Sequence, residues 1–458
     1  MAGLLGLHFE DAGEEGTRLT DAVPGGLDES ETATAEIADL RQEEAEIVES
    51  EAEAEDLGDR VDLAEELTET VEPVVTEGAG LDAASMKLLM AGMRRVAGRH
   101  GKHLVGQNLK MEAINAGVSG RREQTRIQFE DLKDTLKSAW EAIKAAFKKA
   151  WAKVKTWYIK TFDASKKLKA RAEKVRSRAE SNSATIDKSK FSFSSAKSLA
   201  IGSKLSATEF TKGLKDVKGL SGFILNTVKS EEVDKAADDM VKLIGEDVGS
   251  TQISAKLTSL KDKFASTLNG ANGNKPSVVT DKIVSGLGTT SEVTLKYSEV
   301  LPGNKVIIRV VGKSPDKATD SEKIAAIRRT RTVFSNVSDK PKDISGESTE
   351  TLNASQIAAV CDTVIDLAET VFDFKKGWEN RDRSQEKLIK SIDDAFRDVS
   401  KDDAVTNDKQ RLARDVASAS TAAVRRDSTF KASLVGYIMS TCNVALSYCE
   451  RSFAQYKK

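Results

Sequence analysis

AWEAIKAAFKKAWAKVKTWYIKTF, residues 139–162, holds three of the chain's four tryptophans among lysines. With a helical rotation of about 100° per residue, Leu136, Trp140, Ile143, Phe147, Trp151, Val154, Tyr158 and Phe162 fall within an arc about 100° wide. Their spacing of 4, 3, 4, 4, 3, 4 and 4 is an eleven-residue rhythm. That rhythm follows a straight or slightly right-handed helix better than a left-handed coiled coil. Such a stripe requires an apolar partner, so the stretch predicts a long helix packed into a helical body. No Pro or Gly interrupts residues 121–180, which predict one long basic helix or two joined end to end.

Trp157 lies about 90° from the centre of the stripe. That boundary suits the edge of a core, a second protein contact or a lipid interface. Residues 131–180 carry fifteen Lys/Arg against six Asp/Glu, an excess that packing alone does not require. Phosphate backbones bind such faces by counterion release, and an anionic membrane attracts them too, with aromatic side chains as anchors. The candidate phosphate contacts are Lys144, Lys148, Lys149, Lys153, Lys155, Lys160, Lys166, Lys167, Lys169 and Arg171. The membrane or packing stripe is Trp140, Phe147, Trp151, Trp157, Tyr158 and Phe162.

Outward from this helix the charge divides sharply. Residues 1–80 carry 25 Asp/Glu against Arg18, Arg41 and Arg60, while the remainder of the chain is basic by about 20 charges, although the net charge is only −2. An acidic head on a basic body suggests a masked or processed binder of polyanions. In residues 1–80 apolar positions are sparse and like charges repel, which predicts a largely disordered or transiently helical segment. Residues 1–11, MAGLLGLHFED, lack a basic leader and a long apolar run, so no signal peptide is expected, and no apolar segment is long enough to predict a transmembrane helix.

Beyond residue 80 the chain predicts three regions. Residues 81–180 form a basic amphipathic helical region that begins at an Asp82 cap with Met86, Leu89, Met90, Met93 and Val96 on one face. Residues 181–350, rich in Ser, Thr, Lys and Gly, predict a small α+β domain with short helices and flexible loops. Its clearest feature is a β-hairpin over 291–312, turning at Pro302, Gly303 and Asn304. Residues 351–458 return to helix, with an Asn353 cap and two apolar stripes that predict a helical hairpin. The expected fold is mainly α, an elongated helical bundle with a small α+β insert.

The chemistry of an enzyme is missing from the sequence. His8, His100 and His103 form no catalytic constellation, and the glycine-containing stretches at 270–275 and 286–288 lack the spacing of a phosphate loop. Cys361, Cys442 and Cys449 make no CxxC pair and suit buried positions. Neither a metal nor another cofactor is expected.

The basic aromatic helix followed by LKARAE, residues 168–173, and the C-terminal stretch from Ile357 through DFKKGWENRDRSQEKLIKSI together resemble the internal head proteins of large tailed bacteriophages. The resemblance implies a virion protein, in the host cytoplasm during assembly and then inside the capsid with the genome. It implies ejection with the genome in some cases. It further implies an N-terminal propeptide removed by the prohead protease after a glutamate with a small or apolar residue two positions earlier. Glu77 fits that pattern at the change of composition, and Glu66 and Glu69 fit it as well. With the lysine face, this resemblance gives as expected partners double-stranded DNA bound without sequence preference and capsid or other inner-head proteins, and the aromatic residues add an anionic membrane during ejection. A membrane-active ejection protein and a host-directed DNA-binding effector are the alternatives.

Overall fold

The structure, a computed structural model, describes residues 27–78, 80–98, 109–181, 183–225, 227–243, 250–267, 271–315, 317–338, 344, 346, 348–399 and 407–457. The side chains of Glu69, Leu136, Lys137, Trp140, Ile143, Lys144 and Phe147 lie outside the described residues, as do His8, His100 and His103. The described chain is mainly α and forms two compact units. The first is formed by the described residues within 1–47, 153–406 and 412–458, and the second by those within 48–152 and 407–411.

The part of the acidic segment that the structure describes takes the helical alternative in full: residues Leu27–Glu77 form one helix, α1. Its sparse apolar residues are placed to be covered: Ile37, Leu40 and Ile47 are buried in the first unit, and Ala64 and Val71 in the second. Burial of a large aliphatic side chain contributes about 1.5–3 kcal/mol, so a few such positions offset the self-repulsion of a helix this acidic. Pro73 withholds one backbone donor, and α1 ends four residues later, where Gly78 and Gly80 both take positive φ. At Gly80 a side chain would collide with the Arg121 and Arg122 backbone.

In the second unit, α2 (Ala83–Val96) starts where Asp82 accepts a 2.7 Å hydrogen bond from the Ser85 amide, and Met86, Leu89, Met90, Met93 and Val96 are its buried face. A Cβ at Gly92 would overlap Leu67 of α1, so the glycine permits close approach of the two helices. The basic stretch is a single helix, α3 (Val118–Ser181).

The first unit contains α4 (Ala207–Ile224), α5 (Thr227–Lys242) and α6 (Ser250–Thr267), longer than the short helical pieces expected there. Their Ser- and Lys-rich surfaces conceal apolar stripes such as Phe210, Leu214, Val217 and Ile224. The hairpin consists of β2 (Val293–Tyr297) and β3 (Lys305–Gly312), with Gly303 and Asn304 at positive φ in the connection. Beyond the expected pair, β4 (Arg331–Asn336) joins β3 antiparallel, giving the order β2-β3-β4, after α7 (Asp320–Arg329). A two-residue pairing joins β1 (Lys190–Phe191) to β5 (Thr349–Glu350).

The C-terminal helices are α8 (Ala354–Val399), capped by Asn353, and α9 (Asn407–Phe453). They run antiparallel, so that Cys361 meets Cys449 toward one end and Arg381 meets Asp427 further along. All three cysteines are buried.

Candidate nucleic-acid interface

The part of α3 that follows residue 152 is held between two helices of the first unit. Val154, Tyr158 and Phe162 face inward, and Tyr158 stacks among Trp378, Phe374 and Phe162, with its ring 4.1 Å from that of Trp378. Trp157, which helical geometry alone leaves at a boundary, is only 1% exposed. Its indole N–H donates a 2.8 Å hydrogen bond to the Leu40 carbonyl of α1. A second helix covers the flank of the stripe, and the boundary is thereby interior. Trp151 is buried in the second unit, while the side chains of Trp140 and Phe147 lie outside the described residues. The aromatic anchors Trp151, Trp157, Tyr158 and Phe162 that a membrane contact would require at the surface are therefore inside.

The lysines divide by the helix they face. Toward α1, Lys153 meets Glu46 at 3.3 Å, Lys160 meets Glu43 and Lys167 meets Glu36, an antiparallel ladder. The three lysines are seven residues apart, which keeps them on one flank of α3 and spreads them over about 21 Å. Toward α8, Lys155 meets Asp382 at 2.5 Å and Lys169 meets Glu369 at 2.8 Å. These hydrogen-bonded carboxylates hold both ammonium groups above the ordinary lysine range. Arg171 is largely enclosed, making a forked pair with Glu450 at 2.9 and 2.7 Å and a 2.6 Å hydrogen bond to Asn443. Lys166 lies 5.1 Å above the Phe372 ring. In the second unit Lys148 and Lys149 are exposed, and the Lys144 side chain lies outside the described residues.

The six side chains of the ladder keep from about a third to somewhat over half of their surface in water, so each pair contributes at most about 1 kcal/mol and is screened by salt. A tighter clamp lies beside it. Arg41 donates to the Ser440 hydroxyl of α9, and the Glu44 carboxylate lies against Gly436, where an added Cβ would overlap it. Ser433 donates to Glu44, with Arg41 and Lys305 nearby. Burial pushes the Glu44 carboxyl up to about 8 against the pull of those partners.

Among the proposed cleavage positions, Glu77 is exposed and is the last residue of α1, followed by Gly78 at φ +76°. Glu66 lies within the helix, its carbonyl accepting a 2.8 Å bond from Thr70, and Glu69 is helical too.

The residues opposite the lysines are legible in the sequence only in retrospect. Glu36 and Glu43 repeat the seven-residue spacing of Lys160 and Lys167. A second group gave a different signal. Arg381, Asp427 and Lys431 sit in phase with the apolar stripes of α8 and α9, and all three are buried. Arg381 makes 3.0 and 3.3 Å bonds to Asp234 of α5 and lies 2.8 Å from Asp427, which is 3.1 Å from Lys431. Burial would raise the Asp427 carboxyl, but Lys431 and Arg381 hold it below its ordinary range. Burial also lowers the Lys431 ammonium to about 8.

Among the described residues there is no cluster of His, Cys, Asp and Glu that could hold a metal ion, and no helix is long and apolar enough to cross a membrane. No curated protein and no solved structure matches the chain. The family profile of the phiKZ-like phage internal head proteins matches residues 42–451, beginning inside α1 and running almost to the end of α9. The chain thus belongs to the phiKZ-like phage internal head proteins, a structural rather than enzymatic family whose members lie within the virion capsid in association with the packaged genome.

Proposed function

We propose that the flank of α3 bearing Lys153, Lys160 and Lys167 contacts packaged double-stranded DNA without base readout. The acidic N-terminal segment covers that flank in the uncut chain, and the prohead protease cuts after Glu77 at maturation. Lys144, Lys148 and Lys149 are further candidate contacts. Capsid or other inner-head proteins are the remaining partners in this reading.

The observation that carries it is the ladder itself. Three lysines at one spacing, all paired to one acidic helix, are what a polyanion surface under an intramolecular cover requires. The position of Glu77 supports the cleavage step, because a protease needs an extended strand and a helix end frays more readily than positions 66 and 69 inside it.

Duplex binding by the protein cut after residue 77, measured from low to moderate salt, tests the contact. Log K should fall against log salt with a slope of about −3 from the three lysines of the flank, and more steeply where Lys144, Lys148 and Lys149 also engage. A Lys153→Ala/Lys160→Ala/Lys167→Ala chain that keeps the same affinity and slope would refute it. The mass of the protein in purified particles tests the cut: the expected N-terminus is Gly78, and one at Met1 would exclude processing.

A further inference from the structure

We propose that α1 is a displaceable plug: cutting its link after residue 77 leaves it docked, and duplex DNA competing for Lys153, Lys160 and Lys167 removes it. This rests on the reading of the lysine flank as a DNA surface, and it assigns the step that uncovers that surface.

Retention after cutting follows from how α1 is held. Ile37, Leu40 and Ile47 are buried, Trp157 donates to the Leu40 carbonyl, Arg41 reaches Ser440, and Glu44 occupies the space left by Gly436. None of these contacts depends on the peptide bond after residue 77. In the second unit, Ala64 and Val71 are also buried and Leu67 fills the space beside Gly92. Proteolysis alone therefore exposes no lysine.

Displacement follows from the ladder. Its pairs are partly solvated and individually weak, whereas duplex DNA presents one charge per about 1.7 Å and releases counterions when it is neutralised. The three glutamates Glu36, Glu43 and Glu46 occupy about 15 Å of helix, so DNA offers the lysines a far denser set of anions. Before the cut α1 competes as a tethered ligand, at an effective concentration in the mM range for a short link. Afterwards that advantage is gone. The cut arms the molecule, and the polyanion opens it.

The test uses the full chain with a site-specific protease sequence inserted after Gly78, followed by size-exclusion chromatography with and without duplex DNA at low salt. The expected result is co-elution of the two pieces after cutting and separation of the N-terminal piece once DNA is added. DNA should bind the cut chain about tenfold or more tightly than the uncut chain, from the loss of the tethered competitor. Separation on cutting alone would overturn the proposal, and so would retention of the N-terminal piece in the presence of DNA. A Gly436→Leu chain, in which the clamp is pried apart and the lysines are untouched, tells two failures apart. If Gly436→Leu binds DNA while the cut chain keeps its plug, displacement fails and the DNA surface stands; if neither binds DNA, both fail.

Discussion

The ladder of Glu36, Glu43 and Glu46 on Lys167, Lys160 and Lys153, and the network of Asp234, Arg381, Asp427 and Lys431, use the same chemistry in opposite settings. In the ladder each pair has a helix on one side and water on the other. In the network all four side chains are fully enclosed. Partial solvation makes a pair exchangeable: water and competing ions can take either partner's place at little cost. Enclosure makes it permanent, because removal of one member leaves the rest charged and dry. One set of ion pairs fixes α5, α8 and α9 together, and the other joins the α1 and α3 surfaces.

That contrast can be broken at several points, the network giving the largest effect. Arg381→Met leaves Asp234 and Asp427 without their shared cation and should cost about 3–5 kcal/mol in urea unfolding. A loss below about 1 kcal/mol would place the network with the surface pairs. At the seam, Trp157→Phe removes the donor to Leu40 and should cost about 1–2 kcal/mol. Hydrogen exchange should then rise over residues 36–47 and stay unchanged around Arg381.

The clamp should also respond to pH. Because the Glu44 carboxyl is raised from 4.5 to about 8 when α1 is docked, docking favours its protonated form. The associated stabilisation is complete below about 4.5 and is lost as pH rises through about 8. Limited proteolysis within residues 36–47 should therefore accelerate between pH 6 and pH 9, and Glu44→Gln should flatten that dependence. The smallest expected effect on folding belongs to the ladder. Lys160→Ala should change stability by less than about 1 kcal/mol yet reduce the DNA salt slope by about 1.

Much of the local structure was legible because its causes are local. The Asp82 and Asn353 caps, the Met-rich face of α2, the uninterrupted α3 and the turn at Gly303 and Asn304 each follow from residues within a few positions of one another. Long-range pairing was not legible. The acidic segment looked largely disordered or only transiently helical because its own charges repel, and its helix is held by buried apolar contacts and by lysines more than a hundred residues away. Trp157 looked marginal for the same reason: the helix that covers it is α1. The lysine excess was visible as composition, but its division between α1 and α8 depends on where those helices lie. Arg381 offered a usable sign, a charge in phase with an apolar stripe, whereas Asp234 on α5 offered none.

Hydrogen exchange of the chain cut after residue 77, resolved over residues 36–47 with and without saturating duplex DNA, tests most directly whether α1 and DNA compete for the lysine flank. Strong protection is expected in the cut chain alone, and its loss when DNA binds. Unchanged protection in a chain saturated with DNA would contradict it.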